Sequence, residues 1–389
     1  MTLTILADEN IPAVEHYAGA SATVRRFSGR KLEPAHLEGV DALLVRSVTA
    51  VDAALLDNSD IRFVGTATSG VDHIDQQYLK HRGIAFSHAP GSNANSVVEY
   101  VLAAIAAVDD YLERVLAGAP VGIIGYGIIG KAVAGRLQAL NIKCRAYDPW
   151  LAPGAIEHPA ALREILASSV ITLHAELTRA QPWPSYHLID AAALSSIASD
   201  ALLINASRGA VLDNAALLAL LERGSGPTVV LDVWEGEPEI SAALLRQVRL
   251  GTPHIAGYSF DGKLLATRML VAAMTRALNL PGLVPASAAG EAAALDLGDH
   301  DSDAALIRHL INQRYDIRAD DAALRAAVLG TDIVQDIDGR EAALAFDQLR
   351  RNYPQRRELL GSRVASGPCS DDVQAIIKGL GGVLAAGQS

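Results

Sequence analysis

Three residues able to bind an anion or move a proton lie in turn-like contexts in the second half of the chain. Arg208 precedes a glycine, Glu237 precedes a proline, and His254 follows a proline, each after a short apolar run. In open parallel sheets, ligands bind beyond the carboxyl ends of the strands, which is where such residues project. The spacing therefore predicts that the three side chains meet at one sheet edge.

Oxidation of a hydroxy acid requires this combination of side chains. An arginine such as Arg208 binds a carboxylate through two parallel hydrogen bonds. A histidine such as His254 can accept the hydroxyl proton near neutral pH. A carboxylate such as Glu237 beside that histidine fixes its tautomer and stabilises the imidazolium. Taken singly, each residue is more often a solvated or hydrogen-bonded loop residue, so only the joint pattern favours catalysis.

A glycine-rich turn precedes these residues. The apolar run Val121–Ile124 leads into Gly125-x-Gly127-x-x-Gly130, and a helical pattern and a second apolar run follow. Gly125 permits a tight turn, Gly127 lets the backbone approach a pyrophosphate, and Gly130 allows close packing of helix and strand. The helix N-terminus offers free N–H groups to the phosphates. The pattern predicts a dinucleotide-binding unit.

The second run ends at Asp148, about 20 residues beyond the glycines, which is the spacing of a ribose-binding acid. Its carboxylate can accept hydrogen bonds from both ribose hydroxyls, and its charge would repel a 2′-phosphate. We therefore expect NAD rather than NADP as the cofactor.

Composition narrows the class of protein. The 389 residues carry a formal net charge of −11, and 50% are hydrophobic but only 5% aromatic. The acidic balance speaks against a nucleic-acid partner. Cys144 and Cys369 form neither a disulfide framework nor a metal motif, so no metal is expected. The apolar runs are too short to span a membrane and the first residues do not resemble a signal peptide, so we expect a soluble, cytoplasmic protein.

The elements that must position these residues alternate between apolar runs and helical patterns, which predicts an α/β protein with parallel sheets. The predicted strands are Leu3–Leu6, Ala42–Val45, Phe63–Thr66, Ile84–Ser87, Val121–Ile124, Lys143–Tyr147, Val170–Leu173, Ala201–Asn205, Thr228–Leu231 and Arg249–Leu250. Because the glycine turn begins only at residue 125, a first unit must precede it. The simplest arrangement inserts the cofactor domain into a domain made from both flanking segments, with a linker at Pro281–Gly290.

The sequence resembles the D-isomer-specific 2-hydroxyacid dehydrogenases over roughly residues 1–280. The motifs that carry the resemblance are the glycine turn, Asn205-Ala206-Ser207-Arg208-Gly209, Asp232-Val233-Trp234-Glu235-Gly236-Glu237-Pro238 and Thr252-Pro253-His254-Ile255-Ala256-Gly257. The resemblance implies two Rossmann-like domains, with Arg208, Glu237 and His254 as catalytic residues. It implies cofactor binding by Gly125, Gly127, Ile128, Ile129, Gly130, Asp148, Ala175, Ala206, Ser207, Arg208, Asp232 and Gly257.

Other segments are similar to one branch of this family, which oxidises 4-phosphoerythronate to a 2-oxo acid in pyridoxal phosphate synthesis. They include Val45-Arg46-Ser47-Val48-Thr49, Gly65–His73 and Gly257–Lys263. The resemblance implies substrate contacts at Ser47, Thr68 and Tyr258. It also implies a C-terminal α+β dimerisation domain and a homodimer. The expected domains are 1–96 with 257–282 for substrate, 97–256 for NAD, and 286–389 for dimerisation.

Several alternatives remain open. The chain could act on 3-phosphoglycerate or an unphosphorylated acid, it could bind NAD without catalysis, or its C-terminal unit could serve a structural partner. One departure from the family pattern is His174-Ala175-Glu176-Leu177, where a His-Thr-Pro-Leu-like stretch is common. At Ala175 a backbone contact with the cofactor can persist, whereas a hydroxyl contact cannot.

Overall fold

The computed structural model describes residues 3–280, 290, 292–330, 339–365 and 369–385 of the chain. The strands are β1 (Leu3–Asp8), β2 (Ala22–Phe27), β3 (Ala42–Val45), β4 (Phe63–Thr66), β5 (Ala85–His88), β6 (Val121–Ile124), β7 (Cys144–Tyr147), β8 (Val170–Leu173), β9 (Leu202–Asn205), β10 (Thr228–Leu231), β11 (Leu250–Gly251), β12 (Leu295–Asp296), β13 (Arg363–Ala365) and β14 (Val383–Leu384). The α-helices are α1 (Val14–Ala18), α2 (Ala53–Leu56), α3 (Gln76–Arg82), α4 (Ala94–Ala107), α5 (Tyr111–Leu116), α6 (Ile128–Ala139), α7 (Leu162–Leu166), α8 (Ala191–Ser196), α9 (Asn214–Glu222), α10 (Ala242–Gln247), α11 (Phe260–Ala277), α12 (Asp303–Asn312), α13 (Ile317–Leu329), α14 (Gly339–Arg351) and α15 (Asp371–Leu380).

The chain divides into two compact units. The first is Met1–Asn93 with Ser259–Glu291, and the second is Ala94–Tyr258 with Ala292–Ser389. The first unit is therefore interrupted in sequence by part of the second, as an inserted cofactor domain requires. The three domains given above, with their boundaries, remain a prediction, and the linker proposed at Pro281–Gly290 lies outside the described residues except for Gly290.

The first unit is built on a five-stranded parallel sheet with the order β2-β1-β3-β4-β5. Alternate residues of each strand face opposite sides of the sheet. Leu6, Leu43 and Val64 therefore join one core cluster, and Ile5 and Leu44 join another on the opposite face. Burial of both faces explains why these strands read as continuous apolar runs.

The second unit contains a six-stranded parallel sheet with the order β11-β10-β9-β8-β6-β7. The chain order reverses between β6 and β8, which is the topological switch point where ligands bind in such sheets. Both faces of this sheet are also buried, because Ile123 and Ile204 enter one core cluster while Ile124 and Leu203 enter the other. The α/β class and the parallel sheets predicted from the sequence are confirmed.

The C-terminal region adds helices and a three-stranded parallel sheet with the order β12-β13-β14. Its apolar side chains belong to the same two clusters that cover the six-stranded sheet. Leu310 and Ile377 join one cluster, and Leu324 and Phe346 join the other. The C-terminal region therefore completes both faces of the second unit's core.

The predicted strands agree with the observed ones to within two residues at each end, and four observed strands were not predicted, namely β2, β12, β13 and β14. One of these four, β2, contains Arg25 and Arg26, which are exposed. It lies at the edge of its sheet. A strand with one neighbour and a solvated face lacks the continuous apolar run that identified the central strands.

Helix starts follow the expected capping chemistry. An Asp or Ser side chain accepts a backbone N–H from the first turn. These caps are Asp52, Asp75, Asp190, Asp213, Ser241, Ser259, Ser302, Asp316 and Ser370. Among the described residues, no helix combines the length and the apolar character needed to cross a membrane.

Candidate active site

His254 and Glu237 form a hydrogen-bonded pair. The Nδ1 atom of His254 lies 2.7 Å from Oε2 of Glu237, and the other carboxylate oxygen accepts the N–H of Trp234 at 2.7 Å. His254 follows β11 and Glu237 follows β10, which are adjacent parallel strands, so both residues project from the same sheet edge. The predicted proximity thus holds for two of the three residues, and the meeting of Arg208 with this pair remains a prediction.

The environment keeps Glu237 in its charged form. Burial alone would raise the pKa of Glu237, but the charge and hydrogen bond of His254, the Trp234 N–H and the charge of Arg350 together lower it. The second ring nitrogen of His254, Nε2, has no hydrogen-bond partner within the described part of the chain. A histidine held at Nδ1 by a carboxylate and open at Nε2 can exchange a proton with a ligand.

Asp232 shapes the loop that carries His254. Its buried carboxylate accepts hydrogen bonds from the hydroxyl of Thr252 and the N–H of Ile255, both at 2.7 Å, and from the N–H of Ala256 at 2.9 Å. His254 itself has a left-handed backbone with φ of 57°. Such a conformation costs energy in a residue other than glycine and requires support from its surroundings. Asp232 supplies that support, a function that its sequence motif did not reveal, and its cofactor contact remains a prediction.

Asn205 performs a similar function for Arg208. The buried Oδ1 of Asn205 accepts the Ser207 N–H at 3.1 Å and the Ser207 hydroxyl at 2.9 Å, while its Nδ2 donates to the Arg208 carbonyl at 3.1 Å. Gly209 follows directly, and a Cβ added there would lie 2.0 Å from the carbonyl carbon of Trp234. Glycine is therefore required for the Arg208 turn to pack against the loop that carries Glu237.

Two glutamates compete for the catalytic assignment in the segment Glu235-Gly236-Glu237. The structure separates them, because Oε1 of Glu235 lies 2.9 Å from Nε2 of His187. Asp213 lies on the other side of the same ring, with its carboxylate 3.6 Å from Nδ1. Glu235 thus has a partner other than His254, and Glu237 alone of the two contacts His254 in the described structure.

The glycine turn has the geometry that the fingerprint requires. Gly125 has φ of 91°, and a Cβ there would lie 2.4 Å from the backbone nitrogen of Ala175. A Cβ on Gly130 would lie 2.0 Å from the Gly125 carbonyl oxygen. At Gly127, the N-cap of α6, a Cβ would meet no atom within 4 Å. Protein packing therefore explains Gly125 and Gly130 but not Gly127, whose contact with a cofactor remains a prediction.

The remaining predicted cofactor residues follow strands of the same sheet. Asp148 follows β7, and its two oxygens accept the N–H groups of Tyr126 and Trp150 at 2.9 and 3.1 Å. Each carboxylate oxygen has two lone pairs, so the group can also accept ribose hydroxyls. Ala175 follows β8 and is half-buried, Ala206 and Ser207 follow β9, Gly257 lies in the His254 loop, and Ile128 and Ile129 begin α6. This arrangement of chain segments fits a dinucleotide.

The predicted substrate residues lie in both units. Ser47 follows β3 and Thr68 follows β4 in the first unit, so both lie beyond the carboxyl ends of adjacent strands. The Thr68 hydroxyl donates to the Gly70 carbonyl at 2.7 Å and lies 2.8 Å from the Thr66 hydroxyl. Tyr258 belongs to the second unit, where its N–H donates to the Ile255 carbonyl at 2.7 Å.

Known proteins share this organisation. A family model described as "D-isomer specific 2-hydroxyacid dehydrogenase, NAD binding domain" matches residues 99–256, and one described as a domain of unknown function matches residues 290–381. The erythronate-4-phosphate dehydrogenase of Cellvibrio japonicus is 44% identical over 363 residues, which are 92% of this chain and 93% of that protein. The protein of the same name from Salinibacter ruber is 42% identical over 395 residues, 97% of this chain and 98% of that protein. The chain belongs to the erythronate-4-phosphate dehydrogenase family.

Solved structures agree on the fold of this erythronate-4-phosphate dehydrogenase family member. A 2-hydroxyacid dehydrogenase from Ketogulonicigenium vulgare matches with a TM-score of 0.60 at 20% identity, over 74% of this chain and 98% of that one. A D-lactate dehydrogenase from Aquifex aeolicus, solved with NAD and lactic acid, matches with a TM-score of 0.57 at 23% identity, over 71% of this chain and 95% of that one. The family resemblance expected from the motifs is confirmed, and the chain is an NAD-dependent oxidoreductase.

Proposed function

We propose that the protein oxidises 4-phospho-D-erythronate at C2 to 2-oxo-3-hydroxy-4-phosphobutanoate, with NAD as the oxidant, in pyridoxal 5′-phosphate synthesis. The observation that carries the proposal is the His254–Glu237 pair, with its 2.7 Å contact, at the sheet edge that also carries Arg208. The names of the relatives supply the substrate.

The proposed chemistry assigns one task to each residue. Arg208 binds the substrate carboxylate through its planar guanidinium and so orients C2. Nε2 of His254 accepts the proton of the C2 hydroxyl while the C2–O bond becomes a carbonyl. NAD, when bound beside the glycine turn, would supply the acceptor for the hydride of C2. Glu237 stabilises the imidazolium through Nδ1, and the proton then passes to solvent.

Phosphate recognition is assigned to hydroxyl-bearing residues. We propose that Ser47, Thr68 and Tyr258 contact the substrate, because hydroxyls and exposed N–H groups in turns can hold a phosphate. We further propose that the protein is a homodimer, that residues 286–389 contribute its dimer contacts, and that it acts in the cytoplasm. Light scattering of the purified chain tests the dimer, and a monomeric mass would refute it.

The test of the function is a substrate panel with the purified full-length protein. NADH formation is measured with 4-phosphoerythronate, 3-phosphoglycerate and erythronate at saturating NAD. We expect the highest kcat/KM with 4-phosphoerythronate. A higher kcat/KM with 3-phosphoglycerate or erythronate would refute the proposed substrate but not the proposed oxidation of a hydroxy acid. NAD binding without turnover of any acid would refute catalysis.

A further inference from the structure

Arg350, on helix α14 of the C-terminal region, lies against the loop that follows His254. Its Nη2 lies 3.4 Å from the hydroxyl of Tyr258, and its Cζ lies 5.9 Å from the centre of the Tyr258 ring. The Cζ also lies 6.0 Å from the ring centre of Phe346. Tyr258 is tied to the His254 loop by its N–H, which donates to Ile255. A region without a recognised chemical motif thus brings a cation to the candidate active site.

The guanidinium of Arg350 is poorly satisfied. Its Nε is buried and has no hydrogen-bond partner, and within the described ranges no carboxylate oxygen lies within 4.0 Å of its nitrogens. Its single hydrogen bond is long and goes to a neutral phenol. Arginine has five N–H donors, and a cation withdrawn from water is costly unless an anion or several acceptors face it. Arg350 therefore has donor capacity left for an anion.

Arg356 is a buried arginine in the same region, whereas Arg350 is half-buried. Arg356 donates from Nη2 to the carbonyls of Ala256 at 2.9 Å and Ser96 at 3.4 Å, and its Cζ lies 4.1 Å from the centre of the Tyr315 ring. Those contacts hold Nη2 of Arg356 against protein acceptors, although its Nε and Nη1 are, like Nε of Arg350, buried without a hydrogen-bond partner. Arg350 has no comparable set of acceptors among the described residues.

The charges around Arg350 connect it to the catalytic pair. Burial acts to lower the pKa of Arg350, but Tyr258, Glu237 and Asp347 together raise it, and the charge of Arg350 in turn helps to lower the pKa of Glu237. Arg350 is therefore close enough to Glu237, which holds His254, to interact with it electrostatically. An anion bound at Arg350 would lie close to the reacting end of the site.

The proposed substrate needs a second cation. A phosphorylated hydroxy acid carries a carboxylate and a phosphate, while the whole chain has a net charge of −11. Arg208 is assigned to the carboxylate. We propose that Arg350 binds the substrate phosphate, with the Tyr258 hydroxyl donating to the same group, so that the C-terminal region contributes directly to specificity. This inference rests on the proposed function for its substrate.

The test is a titration of the NAD-saturated protein by calorimetry. We titrate four proteins with 4-phosphoerythronate and with erythronate: wild type, Arg350→Met, Arg350→Lys and Arg223→Met. Arg223→Met is the control, because it removes an exposed arginine of the second unit. Loss of a charge-assisted contact should weaken 4-phosphoerythronate binding by about 10- to 100-fold in Arg350→Met. We expect partial recovery in Arg350→Lys, unchanged erythronate binding, and wild-type behaviour in Arg223→Met.

The titrations distinguish three outcomes: a misfolded variant, a wrong substrate, and a wrong assignment of Arg350 to the phosphate. An equal loss for both ligands, or no loss, overturns the assignment of Arg350 to the phosphate. An unchanged NAD affinity and melting temperature show that the variants are folded. If wild type does not bind 4-phosphoerythronate, the proposed function fails, and inorganic phosphate becomes the probe. Weaker phosphate binding in Arg350→Met then supports a phosphate site, whereas equal or absent binding overturns it.

Discussion

At the scale of single residues, the proposed chemistry depends on one ring nitrogen of His254. Nδ1 is committed to Glu237, so only Nε2 can take the substrate proton. We predict that His254→Ala lowers kcat by about 10²- to 10⁴-fold, the range for loss of a general base. NAD affinity, measured by fluorescence titration, should be unchanged. A variant that kept full turnover would remove His254 from the mechanism.

Arg208 tests the carboxylate assignment. Its turn is fixed by Asn205, so a lysine can replace the charge without changing the backbone. We predict that Arg208→Lys raises KM by about tenfold or more, because a point charge cannot reproduce the bidentate contact. The measurement is steady-state kinetics with varied hydroxy acid, and the NAD dissociation constant is the control. An unchanged KM would contradict the assignment.

The glycines of the cofactor turn offer a matched pair. Gly127 has negative φ and room for a Cβ, so Gly127→Ala should fold normally and weaken NAD binding by about tenfold or more. Gly125 has positive φ and touches the Ala175 backbone, so Gly125→Ala should lower the melting temperature. Calorimetric NAD titration and thermal melting separate the two effects. Full NAD affinity in Gly127→Ala would show that the cofactor does not approach this backbone.

At the scale of elements, helix α4 meets the segment after α14 through a buried carboxylate. Oε1 of Glu99 accepts the Leu359 N–H at 2.7 Å and a hydrogen bond from Asn95 at 2.9 Å, while Oε2 is buried without a partner. Burial first, and repulsion from Glu358 second, raise the pKa of Glu99 to about 7, although Arg356 acts in the opposite direction. Burial of Glu99 therefore lowers the free energy of unfolding by an amount that depends on pH.

The sign of that dependence follows from proton uptake. Folded Glu99 keeps its proton up to about pH 7, whereas the unfolded chain releases it near pH ~4.3, so its contribution to stability falls as pH rises through this window. We predict that Glu99→Gln increases the free energy of unfolding at pH ~8 by about 1–3 kcal/mol relative to wild type, with a smaller gain at pH ~5. Urea unfolding at both pH values measures it, and the exposed Glu222→Gln is the control. A pH-independent difference would contradict the prediction.

At the scale of the whole molecule, the C-terminal region shares its core with the six-stranded sheet. Phe346 is fully buried in the cluster that also contains Trp234 and Leu324. We predict that Phe346→Ala lowers the free energy of unfolding by about 3–5 kcal/mol and shifts the transition reported by the buried Trp234. Leu344→Ala is the control, because Leu344 lies on the same helix and is exposed. A Trp234 transition unaffected by Phe346→Ala would mean that the C-terminal region unfolds independently.

The net charge of the whole molecule also affects how it binds an anionic substrate. The net charge of −11 opposes the approach of an anionic substrate, although salt screens that field beyond about 8 Å. Local cations and backbone N–H groups must therefore build the anion site. Arg208 and Arg350 are the arginines of the second unit that we assign to it. Their positions reconcile an acidic protein with a substrate of the same sign.

The sequence by itself was sufficient for the parallel sheets and for the cofactor turn. Buried strands such as β6 and β9 read as continuous apolar runs, and the glycines mark a turn that only their lack of a Cβ allows. The Arg208, Glu237 and His254 motifs were also legible, because each occupies a turn directly after such a strand. Local spacing determines these features, so no tertiary information was needed.

Only the tertiary structure showed how those residues are held and what joins them. Asp232 supports the His254 loop through hydrogen bonds to residues 20 to 24 positions further along the chain, which no spacing rule connects. Arg350 reaches Tyr258 from 92 residues further along the chain. Such contacts depend on how α14 packs against the second unit's core, and packing between distant segments leaves no periodic signal in the sequence. Local sequence motifs therefore identify the candidate catalytic residues, whereas packing between distant segments determines which side chains orient them.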